Sequence, residues 1–174
     1  MDLRRIASAF DATLGVFTAD QLRARGIPAR HVKRWVATGA VERVCGKAFA
    51  VRGTAITVRR RAVAARLTWP DAIICLTTAA LLHEIRVVDD GFTHVLVPSP
   101  RRAIAGIQPH LWSVHPSEVT TSGPLVVTDR RTTIADCLGR LPDEDAWGLL
   151  AWMYTRDQLS VADLEAQLAD RRGM

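Results

Sequence analysis

The sequence predicts an α+β protein in two parts: a basic, helical N-terminal part closed by a β-hairpin, then a mixed α/β part that ends in helices. Three observations carry this expectation. Helix-boundary signals and a glycine-centred hairpin follow one another within the first 53 residues. Short β-branched runs then alternate with helical stretches. The charge also changes sign along the chain: residues 1–70 hold 14 Lys and Arg against 4 Asp and Glu, net +10, while residues 71–174 hold 9 against 14, net −5. Clustered cations release condensed counterions from phosphate backbones, so the basic part is the one expected to meet a polyanion. Arginine makes up 21 of the 23 basic residues, a bias that GC-rich coding produces unaided, but such a bias does not give the two halves opposite signs.

In chain order, Leu3 to Phe10 reads as a short helix. Thr18 is a good N-cap, with Gln21 completing a capping box before Leu22, and Gly26 ends that helix. The next helix is expected to have Pro28 at its first position and to stop at Gly39. "VERV" and "KAFAV" follow as extended runs around Cys45-Gly46, where a glycine suits a positive φ. Helix, helix-turn-helix and hairpin are together the order of a winged helix-turn-helix, expected over residues 1–53.

Gly53-Thr54 is the expected boundary to a second, mixed α/β domain over residues 54–174. Thr57 to Leu67 reads as a helix with the basic run Arg59, Arg60, Arg61 and Arg66. Ile74 to Ile85 is either a helix or a strand leading into one, since periodicity does not separate the two. "THVLVP", "LWSVH" and "PLVVT" read as strands, with an exposed basic loop from Pro98 to Pro109. Thr128 or Asp129 caps a helix from Arg130 to about Leu141. Asp145 to Tyr154 and Ser160 to Ala169 are expected to close the chain as helices.

The helix after Pro28 carries the functional expectation. Val32, Trp35 and Val36 form an apolar stripe expected to face the core. Arg30, Lys33, Arg34 and Ala37 then project from the other side, with His31 on the flank. Ordinary surface helices mix charge signs, whereas no acid interrupts this face. Arg43 and Lys47 bracket the hairpin turn and are placed to touch an adjacent groove or backbone. Arg30, His31, Lys33, Arg34, Arg43 and Lys47 are therefore the candidate DNA-binding residues, with double-stranded DNA as partner.

Other chemistry is weakly supported. His83-Glu84 lacks the second histidine of HExxH. His94, His110 and His115 have no ligand spacing and are expected in isolated polar or packing roles, and Asp89-Asp90-Gly91 is too short for a calcium loop. Around the helix start at Arg130, Arg131 is expected to pair with Asp129 or Asp136 on the surface. Trp147 and Trp152 are expected to pack helices. Cys45, Cys75 and Cys137 are odd in number and widely spaced, so they read as small core thiols. No enzyme, metal or cofactor is expected. The N-terminal stretch has no apolar signal region and no run approaches a membrane span, so the expected location is the cytoplasm.

The stretch "GVFTADQLRARGIPARHVKRWVATGAVERVCGKAFAV" resembles the N-terminal winged helix of AbiEi-family antitoxins from type IV toxin–antitoxin systems. "LTTAALLHEI" resembles that family's alanine-rich helix and "THVLVP" its following strand. "GPLVVTDRRTTIADCLGRL" resembles its Thr-x-x-Arg-Thr-x-x-Asp segment through Thr128, Arg131, Thr132 and, at a slipped spacing, Asp136. Phe49 stands where the wing usually carries tyrosine. The resemblance implies an autorepressor that binds inverted repeats in its own operator, with a homodimer on DNA as one arrangement. It also implies an antitoxin whose second domain counters a nucleotidyltransferase-like toxin without requiring a stable complex. Three alternatives stay open: a stand-alone winged-helix regulator, a protein-binding module without antitoxin activity, or an enzyme whose site is assembled from scattered residues such as His83, Arg131 and Asp136.

Overall fold

The computed structural model describes residues 3–155, 160 and 162. Helix α1 (Leu3–Ser8) leads through a short 3-10 turn to strand β1 (Phe17–Thr18) and helix α2 (Ala19–Ala24). The expected capping box is present: the Gln21 N–H donates to Thr18 Oγ1 at 3.2 Å and the Thr18 N–H to Gln21 Oε1 at 2.9 Å. Gly26, at φ +77°, turns the chain into α3 (Ala29–Ala37). Pro28 is the N-cap and not the first helical residue, because its ψ of 147° keeps it extended. Strands β2 (Val41–Cys45) and β3 (Ala48–Val51) form the hairpin, and β1 adds to it to give an antiparallel sheet of order β1-β3-β2.

Helix α4 (Val58–Thr68) comes next, with the N-cap Thr57 Oγ1 accepting from the Arg60 N–H. A mixed five-stranded sheet of order β6-β5-β4-β8-β7 completes the α+β fold. Its strands are β4 (Ile73–Ile74), β5 (Thr93–Leu96), β6 (Ile107–His110), β7 (Val119–Ser122) and β8 (Leu125–Thr128). Between them, α5 (Leu76–Leu82) follows β4, so the ambiguous stretch is a short strand leading into a helix. Helix α6 (Arg130–Arg140) is capped by Asp129, which accepts from the Thr132 N–H at 2.7 Å, and α7 (Asp143–Thr155) follows. The helix expected over Ser160–Ala169 lies outside the described residues except at 160 and 162.

One strand expectation is corrected, and one strand that the sequence did not mark is added. "LWSVH" is not a strand; the pairing segment is β6, inside the stretch expected to be a loop, where Ile107 is buried and pairs parallel to Thr93. Trp112 and Val114 pack against the core from irregular backbone, which gives the same alternation without a ladder. The polar run "VTTS" forms the edge strand β7, whose half-exposed position demands no apolar pattern.

Helix α4 explains how the layers meet. Ala62, Val63, Ala64 and Ala65 are all buried, as in a helix covered on most of its circumference. They share one cluster with Val16, Cys45 and Ala48 of the N-terminal part and with Ile74, Val95, Val97, Ile107, Leu125 and Val127 of the larger sheet. The larger sheet's other face, with Leu96 and Ile73, packs on residues of α6 and α7. All four arginines of the basic run tie down neighbouring segments. Arg59 donates to Ser122, Arg60 to the Leu14 and Ala55 carbonyls, and Arg61 Nη2 to both Asp89 carboxylate oxygens at 2.6 and 2.7 Å. Arg66, near the helix end, donates to the Ala72 carbonyl. The three thiols are buried and free, as expected of core residues, and burial pushes Cys45 and Cys137 up to about 12.

Candidate nucleic-acid interface

Helix α3 seats on a core of its own. Val32 and Trp35 are 4% and 6% exposed and pack with Ile6, Phe10, Phe17, Leu22, Val41 and Phe49. Val36 does not join them: it is 44% exposed, against expectation. At about 100° per residue it lies roughly 70° from the line through Val32 and Trp35, so the seam is narrower than the i, i+3, i+4 pattern suggests.

The outer face is as the sequence placed it. Arg30, Lys33, Arg34 and Ala37 are exposed. Arg30 and Lys33 have no hydrogen-bond or ion-pair partner among the described residues. His31 is half-buried, its ring tilted against Trp35 with centroids 5.7 Å apart, and its Nδ1 lies 3.3 Å from Arg34 Nη2. Arginine only donates, so Nδ1 is the acceptor and the neutral ring carries its proton on Nε2.

The hairpin pair is arranged differently. The Arg43 guanidinium donates to the Gly46 carbonyl and sits over the Phe49 ring, 5.1 Å from its centroid. The Lys47 side chain is exposed, while its N–H donates to Thr68 Oγ1 at 3.0 Å. Gly46 itself is buried, with its N–H on the Ala105 carbonyl at 2.8 Å. The turn is therefore not a free tip: it is seated between α4 and the segment before β6, and only its two cationic side chains reach the surface. A cation that the candidate set omits lies close by. The Arg52 guanidinium covers Gly39 just past α3, where a Cβ would stand 3.4 Å from Arg52 Cζ and where carbonyls favour positive charge. Its place directly after the second hairpin strand was the available signal.

The C-terminal part holds a second polar cluster. His94 and His110, expected in isolated roles, are brought together: His94 Nδ1 lies 2.8 Å from His110 Nε2, and His94 Nε2 lies 2.7 Å from Asp90 Oδ2. Burial first, then His94 and Arg140, lower His110 to about 4. Burial raises Asp136, which pairs with Arg140 at 3.9 Å and not with Arg131. His83 Nε2 donates to the Thr128 carbonyl at 2.8 Å, tying α5 to the start of α6. Trp147, expected to pack, is 58% exposed. Among the described residues no group of three or more His, Cys, Asp or Glu side chains could hold a metal ion, and no helix is long and apolar enough to cross a membrane.

Two helices joined at a glycine turn and followed by a hairpin make a helix-turn-helix arrangement whose outer face is cationic and free of acids. Residues 4–45 match the family described as transcriptional regulator, AbiEi antitoxin, and so bear out the resemblance for that region. No curated protein matches the chain.

Proposed function

We propose that this chain is a cytoplasmic, DNA-binding autorepressor and the antitoxin of a type IV toxin–antitoxin system. Its winged helix-turn-helix, residues 1–53, binds an inverted-repeat operator, with two copies on the DNA. Residues 54–174 form the antitoxin domain, which counters a nucleotidyltransferase-like toxin without a stable complex and performs no catalysis. The observation that carries the DNA-binding reading is the outer face of α3, where Arg30, Lys33 and Arg34 stand exposed with no acid between them and Ala37 leaves room for close approach. The family match over residues 4–45 supports the regulatory and antitoxin roles.

The test is a paired assay on the variant in which Arg30, Lys33 and Arg34 are all changed to Glu. These side chains lie outside the Val32 and Trp35 seam, so folding is expected to survive while three favourable contacts to DNA become repulsions. Reporter repression should be lost, and growth rescue from the toxin, with the variant expressed from an unrelated promoter, should persist. Loss of both activities in a folded variant would mean that antitoxicity runs through DNA binding. One observation favours a second reading, a protein-binding module: the exposed Trp147 on α7. A stable stoichiometric complex with a neighbouring gene product, without salt-dependent DNA binding, would select it.

A further inference from the structure

The three cations of the α3 face are not equivalent. Arg30 and Lys33 are exposed and untethered, which suits attraction to phosphates at any sequence. Arg34 is held by a chain that begins in the core: Trp35 is 6% exposed, the His31 ring lies against it at 5.7 Å, and His31 Nδ1 accepts from Arg34 Nη2 at 3.3 Å. One of the five guanidinium N–H donors is engaged, and the other four have no hydrogen-bond partner among the described residues on a residue that is exposed. An ordered guanidinium loses less rotamer freedom on contact, and a two-pronged contact depends on orientation where a point charge does not.

From this we infer that Arg34 is the specificity-determining residue of the interface, reading guanine O6 and N7 in the major groove, and that His31 is a positioning residue that orients it and makes no base contact itself. Arg30 and Lys33 then supply sequence-independent affinity. The inference rests on the DNA-binding reading proposed above. Within that reading it divides labour among residues that sequence spacing alone treats alike.

The experiment uses the full chain and two duplexes of equal length, one selected by the wild-type protein from a randomised library and one of scrambled sequence. The readouts are the affinity ratio between the duplexes and the salt slope of each. Arg30→Gln and Lys33→Gln should weaken both duplexes alike, leaving the ratio unchanged and each lowering the slope by about one. Arg34→Lys keeps the charge, so the slope should hold while the ratio falls about tenfold or more, the worth of a bidentate guanine contact. His31→Ala should lower the ratio in the same direction with the slope intact. His31→Asn, whose side-chain oxygen can replace Nδ1 as acceptor, should restore it. An unchanged ratio in Arg34→Lys, or an equal fall in Arg30→Lys, with salt-dependent binding otherwise intact, would overturn this assignment alone. No binding to either duplex by the wild-type chain would remove the proposed function and this assignment with it.

Discussion

Replacing Gly46 by alanine probes the seat of the hairpin turn on the second sheet. Gly46 has φ +52°, and an added Cβ would stand 2.8 Å from Ile107 Cδ1, 2.9 Å from Thr68 Cγ2 and closer still to Thr68 Oγ1. The left-handed backbone alone costs an alanine about 1–2 kcal/mol. The steric conflict adds about 1–3 kcal/mol, as overpacked cores do. Thr68 has little freedom to yield, because its hydroxyl accepts from the Lys47 N–H at 3.0 Å and donates to the Ala64 carbonyl at 2.9 Å. The total is about 2–5 kcal/mol, and at roughly 2–4 °C per kcal/mol for a chain of this size the melting temperature should fall by about 10 °C. Gly53→Ala is the control: Gly53 has φ +84° and an added Cβ would meet nothing within 4 Å, so only the backbone cost of about 1–2 kcal/mol applies. Melts of both variants by circular dichroism decide the matter. If they coincide within about 2 °C, a difference too small for the steric cost, the turn is not seated and the joint between hairpin and larger sheet is not the packed one that these contacts imply.

Trp35→Ala should cost about 3–5 kcal/mol by emptying the largest site in the helix-turn-helix core, and an unchanged melt would put the indole at the surface. Val36→Ala, at an exposed helical site, should stay within about 0.5 kcal/mol of wild type, and a loss above about 2 kcal/mol would mean that Val36 is packed. Stability should also fall as the pH drops from 6.5 toward 4. His110 in the fold takes up its proton only near 4 against an ordinary 6.5, so the unfolded chain binds the extra proton across that window. Asp136, raised by burial, opposes this trend, whereas Asp71 and Asp89, both lowered, act below 3.8. Melting across that range should flatten in His110→Gln; an equal slope in the variant would place the effect elsewhere.

The features legible in the sequence are those that short-range chemistry decides. The Thr18 and Gln21 capping box, the glycine turn at Gly26 and the Asp129 cap each satisfy backbone groups within four residues, so the spacing carries the information. The outer face of α3 was legible for the same reason, since its periodicity is local. Strand β6 was not, because Ile107 is placed by pairing with Thr93, a partner that no local pattern names. Gly46 could be read as a positive-φ residue, but its contact with Thr68 and Ile107 depends on how α4 and β6 pack. His94 and His110 lie 16 residues apart and meet only because β5 and β6 are parallel neighbours.

The charge asymmetry also changes meaning once the contacts are known. Part of the excess positive charge of residues 1–70 belongs to Arg59, Arg60, Arg61 and Arg66, whose guanidinium groups bind carbonyls, Ser122 and Asp89. Those cations hold elements together and are poor candidates for nucleic-acid contact. Of the cations left exposed, Arg30, Lys33 and Arg34 share the outer face of α3, and the buried side of α3 packs in a cluster drawn from the N-terminal part alone. Reversing Arg30, Lys33 and Arg34 therefore changes the interface without disturbing the cluster that α4 shares with the larger sheet. A mutation at the hairpin turn has no such isolation, since Cys45 and Ala48 belong to that shared cluster and Gly46 bonds to Ala105. On the proposed division of labour, repression and antitoxicity should thus separate cleanly at α3 and fail together at Gly46. That contrast distinguishes two activities on one rigid scaffold from a single activity that needs the whole molecule.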